Sequence, residues 1–165
     1  MMIRFPGLIV AMLAWAVLAW WSTTTYGQSV AQSQQPITVH PAIRYGSLPL
    51  TDPVSHLAKQ IDNGEVKLVF RPGGAGYLPD LLRNLGVNVD SQVLIFSKTS
   101  FQSSRISPSA PRAIFFNDTV SVGSVQNGDV LELAALDPKQ GVIFYSLDVH
   151  ETEKPKFVRR GECLQ

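Results

Sequence analysis

The chain holds one cysteine, Cys163, in its closing segment "KFVRRGECLQ". A thiolate is a strong nucleophile and a soft metal ligand, yet an exposed thiol near a terminus is open to oxidation and adds nothing to a core. One reading is that the segment opens a longer motif. Continued by Cys and His, the segment reads C-L-Q-C-H, the attachment signature of c-type haem. In that chemistry two cysteines add to the haem vinyl groups and the adjacent histidine ligates the iron. Only the first thioether donor of such a motif is present, and from the tripeptide alone Cys163 reads better as an accidental terminal cysteine. This fragment alone is expected to bind no haem.

Other residues could in principle carry chemistry. His40, His56 and His150 are the imidazoles that could serve as a distal axial ligand. His40 lies in a proline-rich arm, His150 in a charged stretch, and His56 beside the apolar positions of a helix. Such histidines are more often solvated, because a ligand needs a formed cavity. "RPGGAG" lacks the Lys-Ser/Thr pair of a phosphate-binding loop and reads as a turn. "FSKTSFQSSRIS" places hydroxyls near Lys98, as in Ser/Lys nucleophile sites, but no base or oxyanion donors accompany it, so it reads as a solvated loop. Lys154, Lys156, Arg159 and Arg160 are candidates to pair with haem propionates, although charge of this kind more often makes a soluble linker.

The N-terminus determines the setting for that chemistry. Arg4 is followed by an uncharged apolar run from Leu8 to Trp21 and then by small and polar residues. This is the pattern of a secretory signal peptide over 1–31, with cleavage near 27 or 31, and the run is short for a span of roughly 20 residues. The expectation is an exported protein, periplasmic or extracellular. One cysteine cannot form an intramolecular disulfide, so the fold must rest on its core. A formal charge of +1 with 16% charged residues gives no field for nucleic acid and no polybasic membrane patch.

The elements that position these residues follow from periodicity. Residues 32–50, rich in Gln, Ser and Pro, read as an extended arm. In "TDPVSHLAKQIDNG", Asp52 and Pro53 start a helix, Val54, Leu57, Ala58 and Ile61 give its apolar face, and Gly64 ends it. "EVKLVF" alternates as a strand. "YLPDLLRNLG" reads as a second helix through Leu78, Leu81, Leu82 and Leu85. After the strand "QVLIF" comes a polar loop over 97–112, of a length that is commonly functional or packed on another domain. "AIFF", "TVSVGSV", "DVLELAAL" and "VIFYSLDV", separated by short turns, predict an antiparallel meander. The fold class is α+β: two short helices packed on an antiparallel β-meander, in a domain over 51–149. Residues 150–165 read as a connector into a C-terminal haem c module.

The stretches "TDPVSHLAKQID", "SQVLIFSKTSFQ", "PRAIFFNDTVSVG" and "DVLELAALDPKQGVIFYSLD" resemble the N-terminal region of exported bacterial proteins described as cytochrome c domain-containing. The resemblance runs from about Tyr45 to Gln165. It implies that Cys163 is the first haem-attachment cysteine, that the full-length product carries haem c, and that it transfers electrons to a redox partner that the family name leaves unknown. Two alternatives stand beside this reading. One is a haem-free periplasmic binding module that uses its sheet and serine-rich loop. The other is a haem-dependent redox enzyme whose active site lies outside this chain.

Overall fold

The computed structural model describes residues 47–162. The segments read as signal peptide and most of the arm, together with His40 and Cys163, lie outside the described residues.

Helix α1 (Pro53–Asp62) forms as its sequence requires. Asp52 caps it, with Oδ1 accepting from the backbone N–H groups of Val54 (2.9 Å) and Ser55 (3.0 Å). These satisfy two of the donors that a helix start leaves without partners. Val54, Leu57 and Ile61 are buried on one face. Helix α2 (Leu78–Asn84) is shorter and buries Leu81 and Leu82 in the same core.

The segment 65–70, expected as a strand, keeps its alternation without joining the sheet. Leu68 is buried, and Val66 and Phe70 pack against the core. The backbone N–H of Val69 donates instead to Asp80 Oδ2 on α2, at 2.8 Å. Alternation guarantees one buried side, but a ladder also needs a free neighbouring strand. Here a carboxylate satisfies one main-chain donor of the segment in its place.

The sheet has six strands: β1 (Val93–Ile95), β2 (Arg112–Phe116), β3 (Val120–Ser124), β4 (Val130–Asp137), β5 (Gly141–Asp148) and β6 (Phe157–Arg159). Each pairs antiparallel with the next in sequence, in the order β1-β2-β3-β4-β5-β6. The expected α+β architecture, with two short helices and an antiparallel meander, is what forms. The sixth strand comes from the segment read as a connector: Phe157, Val158 and Arg159 pair with Leu147, Ser146 and Tyr145.

Register fixes the two faces, because directly paired residues share a side. Phe115, Val122, Leu133 and Tyr145 form one row toward the helices. With Val120, Leu131, Ala135, Ile143 and Leu147 they belong to the core that α1 and α2 cover. Gly123, Glu132, Ser146 and Val158 form a row on the opposite face, away from the core that α1 and α2 cover. No helix among the described residues is long and apolar enough to cross a membrane.

Candidate functional site

The second face of the sheet is apolar where solvent would favour polar side chains. Val93, Phe116, Leu136, Val142 and Val158 are each between 43% and 48% exposed. Their positions in the register place all five on that face. Isolated exposed apolar residues are ordinary, and these five share one face of the sheet.

The loop between β1 and β2 folds onto this face, and side chains hold it there. Gln102 donates from Nε2 to the Val130 carbonyl (2.9 Å) and accepts from Asp129 N–H (2.6 Å). Arg105 donates to the Asn127 carbonyl (2.6 Å) and to Asp129 Oδ2 (2.7 Å). Both residues grip the β3–β4 turn, where Asn127 has a positive φ of 55°.

At the centre is a buried ion pair. Arg112 on β2 and Glu132 on β4 lie 3.2 Å apart, with their side chains only 14% and 9% exposed. Glu132 Oε1 also accepts from the Ser100 hydroxyl (2.6 Å) and Phe101 N–H (3.1 Å), so one carboxylate ties the loop to the sheet. Arg112 Nη1 donates to the Thr99 carbonyl at 2.8 Å. Charges removed from water are tolerated when their hydrogen bonds are made, and here nearly all are. The exception is Arg112 Nε, a buried donor without an acceptor among the described residues.

Gly123 on β3 makes this arrangement possible. A Cβ there would stand 2.6 Å from Arg112 Nε, so the guanidinium can cross β3 only above a residue without a side chain.

Between loop and sheet lies a pocket of about 620 Å³. Ile95, Phe101, Ala134 and Phe144 give it apolar surface, and Lys98, Arg112 and Glu132 give it charge. Its size falls within the roughly 300–1,000 Å³ range of small-molecule sites. Glu162, the residue before Cys163, is at its rim.

The residues singled out in sequence are distributed unevenly around this pocket. Lys98 lines it, but Ser100 is committed to Glu132, and no contact joins the Lys98 ammonium to a serine among the described residues. A Ser/Lys nucleophile site is therefore not assembled. Arg160 donates from Nε to Ser146 Oγ (2.8 Å), and its guanidinium carbon stands 5.3 Å from the centre of the Phe101 ring. Arg159 is in register with Tyr145, on the helix-covered side. Lys154 and Lys156 are exposed, and neither lines this pocket. His56 is exposed on α1, and His150, also exposed, pairs with Asp148. Neither histidine lines the pocket.

Sequence reasoning missed Arg112 and Glu132. A signal was available: Glu132 is the one charge inside the otherwise apolar run "VLELAAL" of β4. Its partner across the sheet could be named only once register set Gly123 opposite it.

Fold and pocket together define a class: an antiparallel α+β domain whose uncovered sheet face carries a ligand-sized pocket with a buried ion pair. No family model, curated protein or solved structure matches the chain.

Proposed function

We propose that this chain is the N-terminal part of an exported c-type haem protein that transfers electrons, with Cys163 as the first attachment cysteine. One observation supports this beyond the resemblance. The pocket that Glu162 lines has an apolar wall made by Ile95, Phe101, Ala134 and Phe144. That wall, with Lys98 and Arg112 near it, suits a flat apolar ring bearing carboxylates. Among the described residues no histidine lines the pocket. Haem, when bound, supplies one-electron transfer. The residues of this chain supply an apolar surface and the Lys98 ammonium.

The test is expression of the complete gene in a host that matures haem c. Haem should survive a denaturing gel, whereas this 165-residue chain alone should carry none. Cys163→Ala should leave a single thioether link and move the pyridine haemochrome α-band to longer wavelength. No covalent haem in the full product, or two links in the variant, would overturn the reading.

A second reading, a haem-free periplasmic binding module, is favoured by the exposed apolar residues of the uncovered face. A stop codon directly after Gln165 in the gene would leave this reading standing and remove the first.

A further inference from the structure

We infer that the pocket between the loop and the uncovered sheet face is a binding site for an organic anion with a flat apolar body. The apolar part of the ligand meets Ile95, Phe101, Ala134 and Phe144. The charge balance favours an anion. Glu132 is occupied by Ser100, Phe101 and Arg112, so its negative charge is satisfied internally. Glu162 at the rim leans toward Arg160, 3.9 Å away. Lys98 has no carboxylate partner among the described residues and is the cation left for a ligand.

Two sources supply this chemistry: the propionate edge of a haem bonded to the protein itself, or a free aromatic carboxylate. The inference does not require Cys163 to carry haem, so it stands or falls separately from the reading above.

The experiment uses the 165-residue chain titrated with anilinonaphthalene sulfonate, a sulfonate on a flat aromatic body, and with free haemin. Saturable binding at one site is expected, with each probe displacing the other. Lys98→Glu should weaken both by about tenfold or more, since it replaces a charge-assisted contact with repulsion. Ala134→Trp should fill the pocket and abolish binding with circular dichroism unchanged. Lys67→Glu, at an exposed lysine that does not line the pocket, should change nothing. Lys98 is exposed, so its variant remains informative even if the tryptophan disturbs the fold.

Absent binding, or binding indifferent to Lys98→Glu, would overturn the inference. Repeating the titration on the full-length product then separates the sources. Exclusion of the sulfonate probe from the haem-loaded protein assigns the pocket to its own haem. Undiminished binding assigns it to a free anion. Failure of haem attachment in that product would sink the electron-transfer reading and leave the pocket result intact.

Discussion

Asp137 illustrates how one carboxylate can join distant parts of this chain. Its Oδ2 accepts from Thr51 N–H (2.7 Å) and hydroxyl (3.0 Å), and its Oδ1 from Lys139 N–H (2.9 Å) and Gln140 N–H (3.0 Å). It therefore closes the β4–β5 turn and pins the start of the described chain to it. Burial works to raise its pKa, but the hydrogen bonds from Thr51, Lys139 and Gln140 outweigh it and hold the carboxyl below the ordinary 3.8. A depressed folded-state pKa adds stability that is complete above the unfolded value and is lost as pH falls through the folded one. Asp137→Asn should cost about 1–3 kcal/mol at neutral pH, the scale for hydrogen bonds to a charged group. The gap between wild type and variant in denaturant melts should stay constant down to about pH 5 and shrink below pH 4. A gap independent of pH down to acid denaturation would mean that the charge on Asp137 is not what stabilises the turn.

At the scale of elements, α1 is where local sequence and tertiary packing agree most fully. Its cap and its apolar face are both legible in "DPVSHLAKQI". Asp52 does more than cap: its Oδ2 accepts from the Tyr145 hydroxyl at 2.6 Å, so the carboxylate that starts the helix also binds it to β5. Leu57 is 2% exposed between that helix and the sheet. Leu57→Asp removes a contact worth roughly 1.5–3 kcal/mol and puts an unpaired carboxylate in the core. The variant should be unfolded at room temperature, with the sheet lost along with the helix, as judged by circular dichroism and a flat thermal trace. A cooperative melt at the wild-type midpoint would refute the assignment of this face.

At the scale of the whole described domain, the telling feature is its C-terminal boundary. Charge and Pro155 make residues 150–165 read as a connector, yet the described part of it contributes a strand and a hydrogen-bonded anchor. The Tyr77 hydroxyl donates to the Thr152 carbonyl (3.1 Å) and accepts from Thr152 N–H (2.8 Å). Phe157 packs edge-on against Tyr145, with ring centres 6.5 Å apart. A chain ending at Val149 would expose the edge of β5 and strip those contacts from the core, whereas one ending at Gly161 keeps them. The shorter chain should melt several degrees lower and aggregate on heating, which calorimetry and light scattering would detect. Equal midpoints for the two truncations would show that β6 is dispensable.

The sequence by itself determined the parts of this protein whose causes are local. A capped helix is specified within about ten residues, and the four central strands by alternation and turn residues such as Asn127 and Gly141, both at positive φ. Neither requires knowledge of a distant neighbour. Only tertiary structure decided the rest, because those features depend on pairs far apart in the chain. Segment 65–70 has strand-like alternation but finds Asp80 instead of a strand. Phe157–Arg159 has too little pattern to announce itself and becomes a strand because β5 offers an open edge. The pocket is the extreme case. Arg112, Gly123 and Glu132 have no common motif, and a one-residue slip in register would turn Glu132 into the core and dissolve the site.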